Sequence, residues 1–174
     1  NHLDQTKTES KMSVETLQEL CPSFDWKALF IAAELKNYSD DKNFYSSYYL
    51  ASKYLDFALY VNVKIRPAII NLSNIYLEEA IAFAEKTDED ELLLKQRCEL
   101  LKIQEYLILR RPKKVLRQLK SMKAGTIENK NKSFAAFLYY VAFRCQSNVE
   151  DAEIWKSKVS LVNLKKAELI INLN

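Results

Sequence analysis

A single glycine, a single histidine and three prolines in 174 residues exclude more than any residue present establishes. Glycine supplies the positive-φ positions of tight hairpins and phosphate-cradling loops, and proline fixes rigid corners. Walker loops, dinucleotide-binding fingerprints and nucleophile elbows each need at least two glycines, so none of them can be built here. With His2 alone, histidine dyads, HExxH zinc sites and the paired Glu-x-x-His ligands of di-iron bundles are excluded too. Cys21, Cys98 and Cys145 lie 77 and 47 positions apart, which is neither CxxC nor metal-ligand spacing. An odd count builds no disulfide framework, so buried free thiols of a reducing compartment are expected. A thiol nucleophile would be Cys98 or Cys145, yet no second histidine exists to activate either. The expectation is a protein that is not an enzyme, with no catalytic residue, metal or cofactor.

No uninterrupted apolar run approaches the roughly 20 residues that span a bilayer. No basic-then-apolar leader opens the sequence either, so a cytoplasmic or nuclear location with no membrane partner is expected. The first residue is not Met and the last few include Leu169, Ile170, Ile171 and Leu173, which is what a piece of a longer protein would show. Hydrophobic types at 48% and charged types at 28% describe a globular chain. A net charge of +3 permits an acidic partner without demanding one.

What is present reads as helix nearly throughout. Residues 1–12 are polar and aperiodic, so a flexible arm is expected there, with residues 13–174 expected as a single helical domain. Val14, Leu17 and Leu20 share a stripe that stops before Pro22. Ser23 caps a second helix with Trp26, Leu29, Phe30 and Ala33 on one face, ended by a polar break at Asn37–Asp41. The third helix carries Phe44, Tyr48, Ala51, Leu55, Ala58 and Leu59, and the fourth opens near Pro67. Asp88 and Glu91 have capping-box spacing ahead of a helix from Leu92 to Leu109. Pro112 starts a short helix with Val115, Leu116, Leu119 and Met122 inward. After the polar stretch Lys123–Lys132 comes a helix through Phe137, Leu138, Val141 and Ala142. A second capping box, Ser147 with Glu150, opens a final helix whose Ile154, Trp155, Val159 and Val162 face inward. The result is all-α, with about eight helices joined by short connections and neighbours antiparallel.

A closed helical bundle and a row of stacked helix pairs both fit that count. Close crossings in a row demand small residues at recurring positions. Ala51, Leu55 and Ala58 alternate small and large in the third helix, and Ile69, Leu72, Ser73 and Tyr76 follow a spacing of three, one and three in the fourth. These positions resemble the tetratricopeptide repeat (TPR), a pair of antiparallel helices stacked into a superhelix. Tyr106–Met122 is similar to a late first helix, tight turn and second helix, and Leu138, Val141, Ala142 and Cys145 echo the first-helix pattern. The family's glycine is missing from all four, with Ser73 and Ala142 nearest to it. Spacings of 30 (Tyr76 to Tyr106) and 39 (Tyr106 to Cys145) replace the usual ~34. The resemblance covers residues 44–162 and implies a TPR-like α-solenoid fragment serving as an interaction scaffold.

Two groups of residues are candidates for that service. Phe44 to Tyr60 holds seven aromatics. Tyr45, Tyr49, Tyr54 and Tyr60 lie off the apolar stripe, either sandwiched between neighbouring helices or lining a groove as ring anchors for a peptide. Arg110, Arg111, Lys113, Lys114 and Arg117, continued by Lys120 and Lys123, oppose the apolar face of their helix. They form either plain solvated surface or a docking face for an acidic or phosphorylated peptide. The expected function is therefore a non-enzymatic protein–protein interaction scaffold that binds a partner peptide or subunit along a helical groove. The alternative is nucleic-acid binding through the basic 110–123 helix. Rings and cations lie far apart in sequence, so the interleaving of single-strand binders is not apparent.

Overall fold

The computed structural model describes residues 25–87, 90–123 and 125–173, with side chains from Leu29 onward. Every regular element among them is helical: α1 Asp25–Asp40, α2 Phe44–Phe57, α3 Arg66–Glu85, α4 Glu91–Ile108, α5 Pro112–Lys123, α6 Lys132–Cys145, α7 Val149–Lys156 and α8 Leu161–Ile171. One 3₁₀ turn, Asn129–Asn131, precedes α6. The chain is all-α. It divides into two compact units, one ending at Phe83 and one beginning at Ala84. The expected arm 1–12, the stripe Val14–Leu20, the Ser23 cap, His2, Cys21 and Asp88 lie outside the described residues.

In the first unit α2 begins with a reciprocal cap. The Asn43 side chain accepts from the Ser46 backbone N–H at 3.0 Å, while the Ser46 hydroxyl accepts from the Asn43 N–H at 3.0 Å. The stripe Phe44, Tyr48, Ala51, Leu55, Ala58 and Leu59 is buried, and so are Leu50, Tyr54 and Phe57. A helix buried this far round needs neighbours on several sides. One is α1, which packs against it. Another is α3, whose Ser73 hydroxyl donates to the Ala51 carbonyl at 2.7 Å, a bond that small residues at a close crossing allow. Tyr76 of α3 stacks on Tyr54 with ring centroids 5.7 Å apart and meets the edge of Tyr38 at 5.0 Å. The Arg66 Nε–H donates to the Ala58 carbonyl at 3.0 Å, satisfying one of the acceptors left open where α2 ends.

Two expectations for α1 fail. The helix continues to Asp40, through the expected polar break, because Tyr38 is anchored: it is buried, and its hydroxyl donates to the Glu79 carboxylate. The inward face is also rotated. Leu29, Phe30 and Ala33 are exposed, and Ile31 and Tyr38, seven positions apart, are buried instead.

In the second unit α6 packs against α4, α5, α7 and α8, which explains why all eight residues from Ala135 to Ala142 are buried. The polar stretch before α6 is pinned to α4. Gln96 Nε2 donates to the Thr126 carbonyl at 2.7 Å, and its Oε1 accepts from the Glu128 N–H at 3.0 Å. Asn131, itself buried, donates to the Leu93 carbonyl at 3.0 Å.

Two helix ends use residues other than glycine in the left-handed region. At the end of α4, Arg110 has φ 61, and the Arg111 N–H donates to the Tyr106 carbonyl at 2.9 Å. At the end of α6, Ser147 has φ 61, and the Asn148 N–H donates to the Phe143 carbonyl at 2.9 Å. These six-to-one bonds close Schellman motifs, in which glycine is the usual left-handed residue. Ser147 therefore ends α6, and contrary to the capping box expected from its spacing to Glu150 it does not cap α7. Asn148 is the cap, accepting from the Asp151 N–H at 3.3 Å. Ser147→Gly is expected to stabilise the protein by about 0.5–1 kcal/mol, since the side chain's left-handed penalty outweighs glycine's entropic cost. The check is a urea midpoint that rises with an unchanged slope.

The expected final helix is two helices. α7 stops at Lys156, and Ser160 caps α8 by accepting from the Asn163 N–H at 3.3 Å. The break resets the helical phase. Ile154 and Val162 are 60% and 75% exposed rather than inward, and Ala152, Val159, Ala167 and Ile170 are buried.

Candidate binding surfaces

The four tyrosines do not form one surface. Tyr54 is removed from the surface altogether: it is 0% exposed, stacked on Tyr76 in the core of the first unit. That corrects its expected place among the groove anchors, and the cause is that α2 is enclosed on that side by α3. Tyr45 and Tyr49 are 48% exposed, one helical turn apart, with ring centroids at 6.2 Å. Tyr60 lies beyond the end of α2 and is half-buried. Burial, followed by the nearby Asp56 charge, holds its phenol above the usual range.

The cations of the second unit are held by a helix whose phase is fixed. Val115 and Leu119 are fully buried on the inner side of α5, which turns Lys113, Arg117 and Lys120 outward. Arg111 and Lys123 at the two ends are exposed as well, and Lys114 rests its ammonium 4.1 Å from the Tyr106 ring centroid. Arg110 has structural work, donating to the Ile170 carbonyl at 2.8 Å near the end of α8. Among the described residues no carboxylate pairs with any of the seven cations between 110 and 123. Arg110, Arg111, Lys113 and Gln146 border a cleft of about 390 Å³. Glu99, Gln118 and Met122 border another of about 460 Å³, and Lys114 and Arg117 line both. The charge is divided unevenly. From Ala84 onward 18 Lys and Arg face 12 Asp and Glu, a net +6, whereas up to Phe83 the counts are 8 and 11, a net −3.

A third cleft, of about 540 Å³, was not foreseen. It lies between Lys123 at the end of α5, Thr126 and Ile127 of the pinned loop, Lys132 and Tyr139 of α6, and Trp155 and Lys158. The chain matches no family model, no curated protein and no solved structure. The surfaces therefore have to be read from their own chemistry.

Among the described residues the two thiols, Cys98 and Cys145, offer little to nucleophilic chemistry. Burial pushes the Cys98 thiol up to about 12, so it is protonated at neutral pH. Cys145 is raised by burial as well, against the lowering charges of Arg110 and Arg144. Among the described residues no cluster of His, Cys, Asp and Glu could hold a metal ion. No described helix is long and apolar enough to cross a membrane.

Proposed function

We propose that this chain is a non-enzymatic interaction scaffold of TPR-like helix pairs whose α5 face docks an acidic or phosphorylated segment of a partner protein. The observation that carries the reading is the row of cations along α5, outward-facing, bordered by two clefts and without carboxylate partners among the described residues. Exposed cations lacking local partners keep their full attraction for an external anion, and arginine adds a fork suited to carboxylate or phosphate. The paired arrangement draws support from the Ser73–Ala51 crossing and from α6, which touches both its nearest and its next-nearest helices as stacked pairs do. Tyr45 and Tyr49 offer a separate pair of ring anchors on α2. Among the described residues Cys98 and Cys145 are free of any disulfide, which suits the cytoplasm or nucleus.

Fluorescence anisotropy with a labelled Glu-rich 15-residue peptide tests the reading. Wild type is expected to bind, and the double substitution Lys113→Glu, Arg117→Glu is expected to weaken binding at least tenfold with an unchanged circular-dichroism spectrum. Equal binding by the two proteins would remove α5 as the docking face. The nucleic-acid alternative is read in a parallel arm with a single-stranded oligonucleotide. Binding tighter than the peptide's that Lys113→Glu, Arg117→Glu abolishes, with log K falling by about 0.7 per phosphate contact against log salt, would replace the protein partner of α5 with a nucleic acid.

A further inference from the structure

The third cleft combines rings and cations that the sequence keeps apart. Tyr139 of α6 and Trp155 of α7 lie nearly parallel, 8° between planes with centroids 4.2 Å apart, so one face of the indole is taken. The ammonium groups of Lys158 and Lys123 stand 4.8 and 5.6 Å from the same ring centroid. Lys132 and Ser133 complete the rim, and no acidic residue lines the cleft. The three lysines make no ion pair among the described residues. The wall formed by Thr126 and Ile127 is fixed, because Gln96 and buried Asn131 tie that loop to α4. Tyr139 is itself held, stacking on Phe143 of its own helix at 6.2 Å.

We infer that this cleft binds a nucleotide, with the base stacked on the indole face of Trp155 opposite Tyr139 and the phosphates among Lys123, Lys132 and Lys158. An ammonium over a half-buried ring that still borders solvent is a modest contact that a flat π-system can displace, and the freed lysines then meet the phosphates. The volume falls within the ~300–1,000 Å³ typical of small-molecule sites. The choice of ligand follows from complementarity: a planar aromatic body for the platform and more than one negative charge for the three cations. A phosphotyrosine peptide offers a ring and a phosphate as well, but the cleft holds point-charge lysines and no arginine fork, which suits a polyphosphate chain better. The inference goes beyond the α5 docking face and does not depend on it.

Isothermal titration calorimetry tests it with ATP, adenosine, tripolyphosphate and a ten-residue adenosine oligonucleotide. ATP or the oligonucleotide is expected to bind, and which of them binds tighter identifies a free nucleotide or a single strand as the source. Adenosine and tripolyphosphate, each with half the chemistry, should bind at least tenfold more weakly than ATP. Trp155→Leu should weaken nucleotide binding about tenfold or more, the loss expected when a stacking ring is removed. Lys158→Gln should weaken it several-fold while leaving the ring stack. Lys113→Glu, Arg117→Glu should leave ATP affinity within twofold, which separates this site from the α5 face. Tripolyphosphate binding as tightly as ATP would overturn the proposal. So would ATP affinity indifferent to Lys158→Gln, or binding by neither nucleotide. Should Trp155→Leu fail to fold, the wild-type ligand series and Lys158→Gln still decide.

Discussion

Replacing Phe137 by alanine is expected to cost about 3–5 kcal/mol in urea denaturation, enough to consume much of a typical domain's 5–15 kcal/mol. Phe137 is 1% exposed on α6, the helix that α4, α5, α7 and α8 all touch. Removing a ring there loses its transfer free energy. It also leaves a cavity whose walls belong to elements already fixed by their own packing, so the site cannot collapse to fill it. The neighbouring Phe134 ring, 6.3 Å away and tilted by 45°, is only half-buried and offers no ready replacement. Ile154→Ala is the internal control. Its side chain is 60% exposed on α7, so the change should stay within about 0.5 kcal/mol. A Phe137→Ala cost below ~1 kcal/mol, or equal costs for the two variants, would show that α6 is not the centre of its unit.

Helix content was legible because scarce glycine and proline left the chain few other options, and because the apolar stripe of α2 keeps one phase from Phe44 to Leu59. Phase was legible only where one stripe had no rival. On α5, Val115 and Leu119 are the deepest apolar residues of a short basic helix, so the outward direction of Lys113 and Arg117 follows at once. On α1 two stripes overlap, Leu29–Ala33 and Ile31–Tyr38. The choice was made by a hydrogen bond from Tyr38 to Glu79, 41 positions away, which periodicity cannot register. At the C-terminal end Ser160 competes with a continuing helix, and local capping won. Tyr54 looked like a side-facing ring because the pattern of α2 does not reveal how many neighbours the helix has. The Trp155 cleft was out of reach for a related reason. Its rings and lysines come from Lys123, Lys132, Tyr139 and Lys158 as well as Trp155, and the loop between α5 and α6 is folded back by Gln96 and Asn131. The interleaving of cations and rings arises in three dimensions only.

Raising the pH from 9 to 12 is expected to destabilise the protein through Cys98. In the unfolded chain the thiol ionises near 9.0, whereas in the folded chain burial holds it protonated up to about 12. Below pH 9 both states keep the proton and the thiol contributes no pH dependence. Above that pH the unfolded state releases its proton while the native state cannot, so the unfolded state gains stability with each further rise, until the native thiol also ionises. The gap between 9.0 and about 12 corresponds to a loss on the order of 4 kcal/mol at the top of the window. Tyr60, Tyr139 and Cys145 are raised by burial as well and act in the same direction, so wild type alone does not isolate Cys98. Cys98→Ala does. At pH 8 the variant should be the less stable protein, because it leaves a small void where a buried sulfur sat. Between pH 9 and 12 its stability should fall less steeply than that of wild type, so the difference between the two narrows and then reverses. Urea denaturation under reducing conditions at pH 8, 9.5 and 11 measures that difference directly, and a difference that stays constant across the three would show that the Cys98 thiol is open to water in the folded protein.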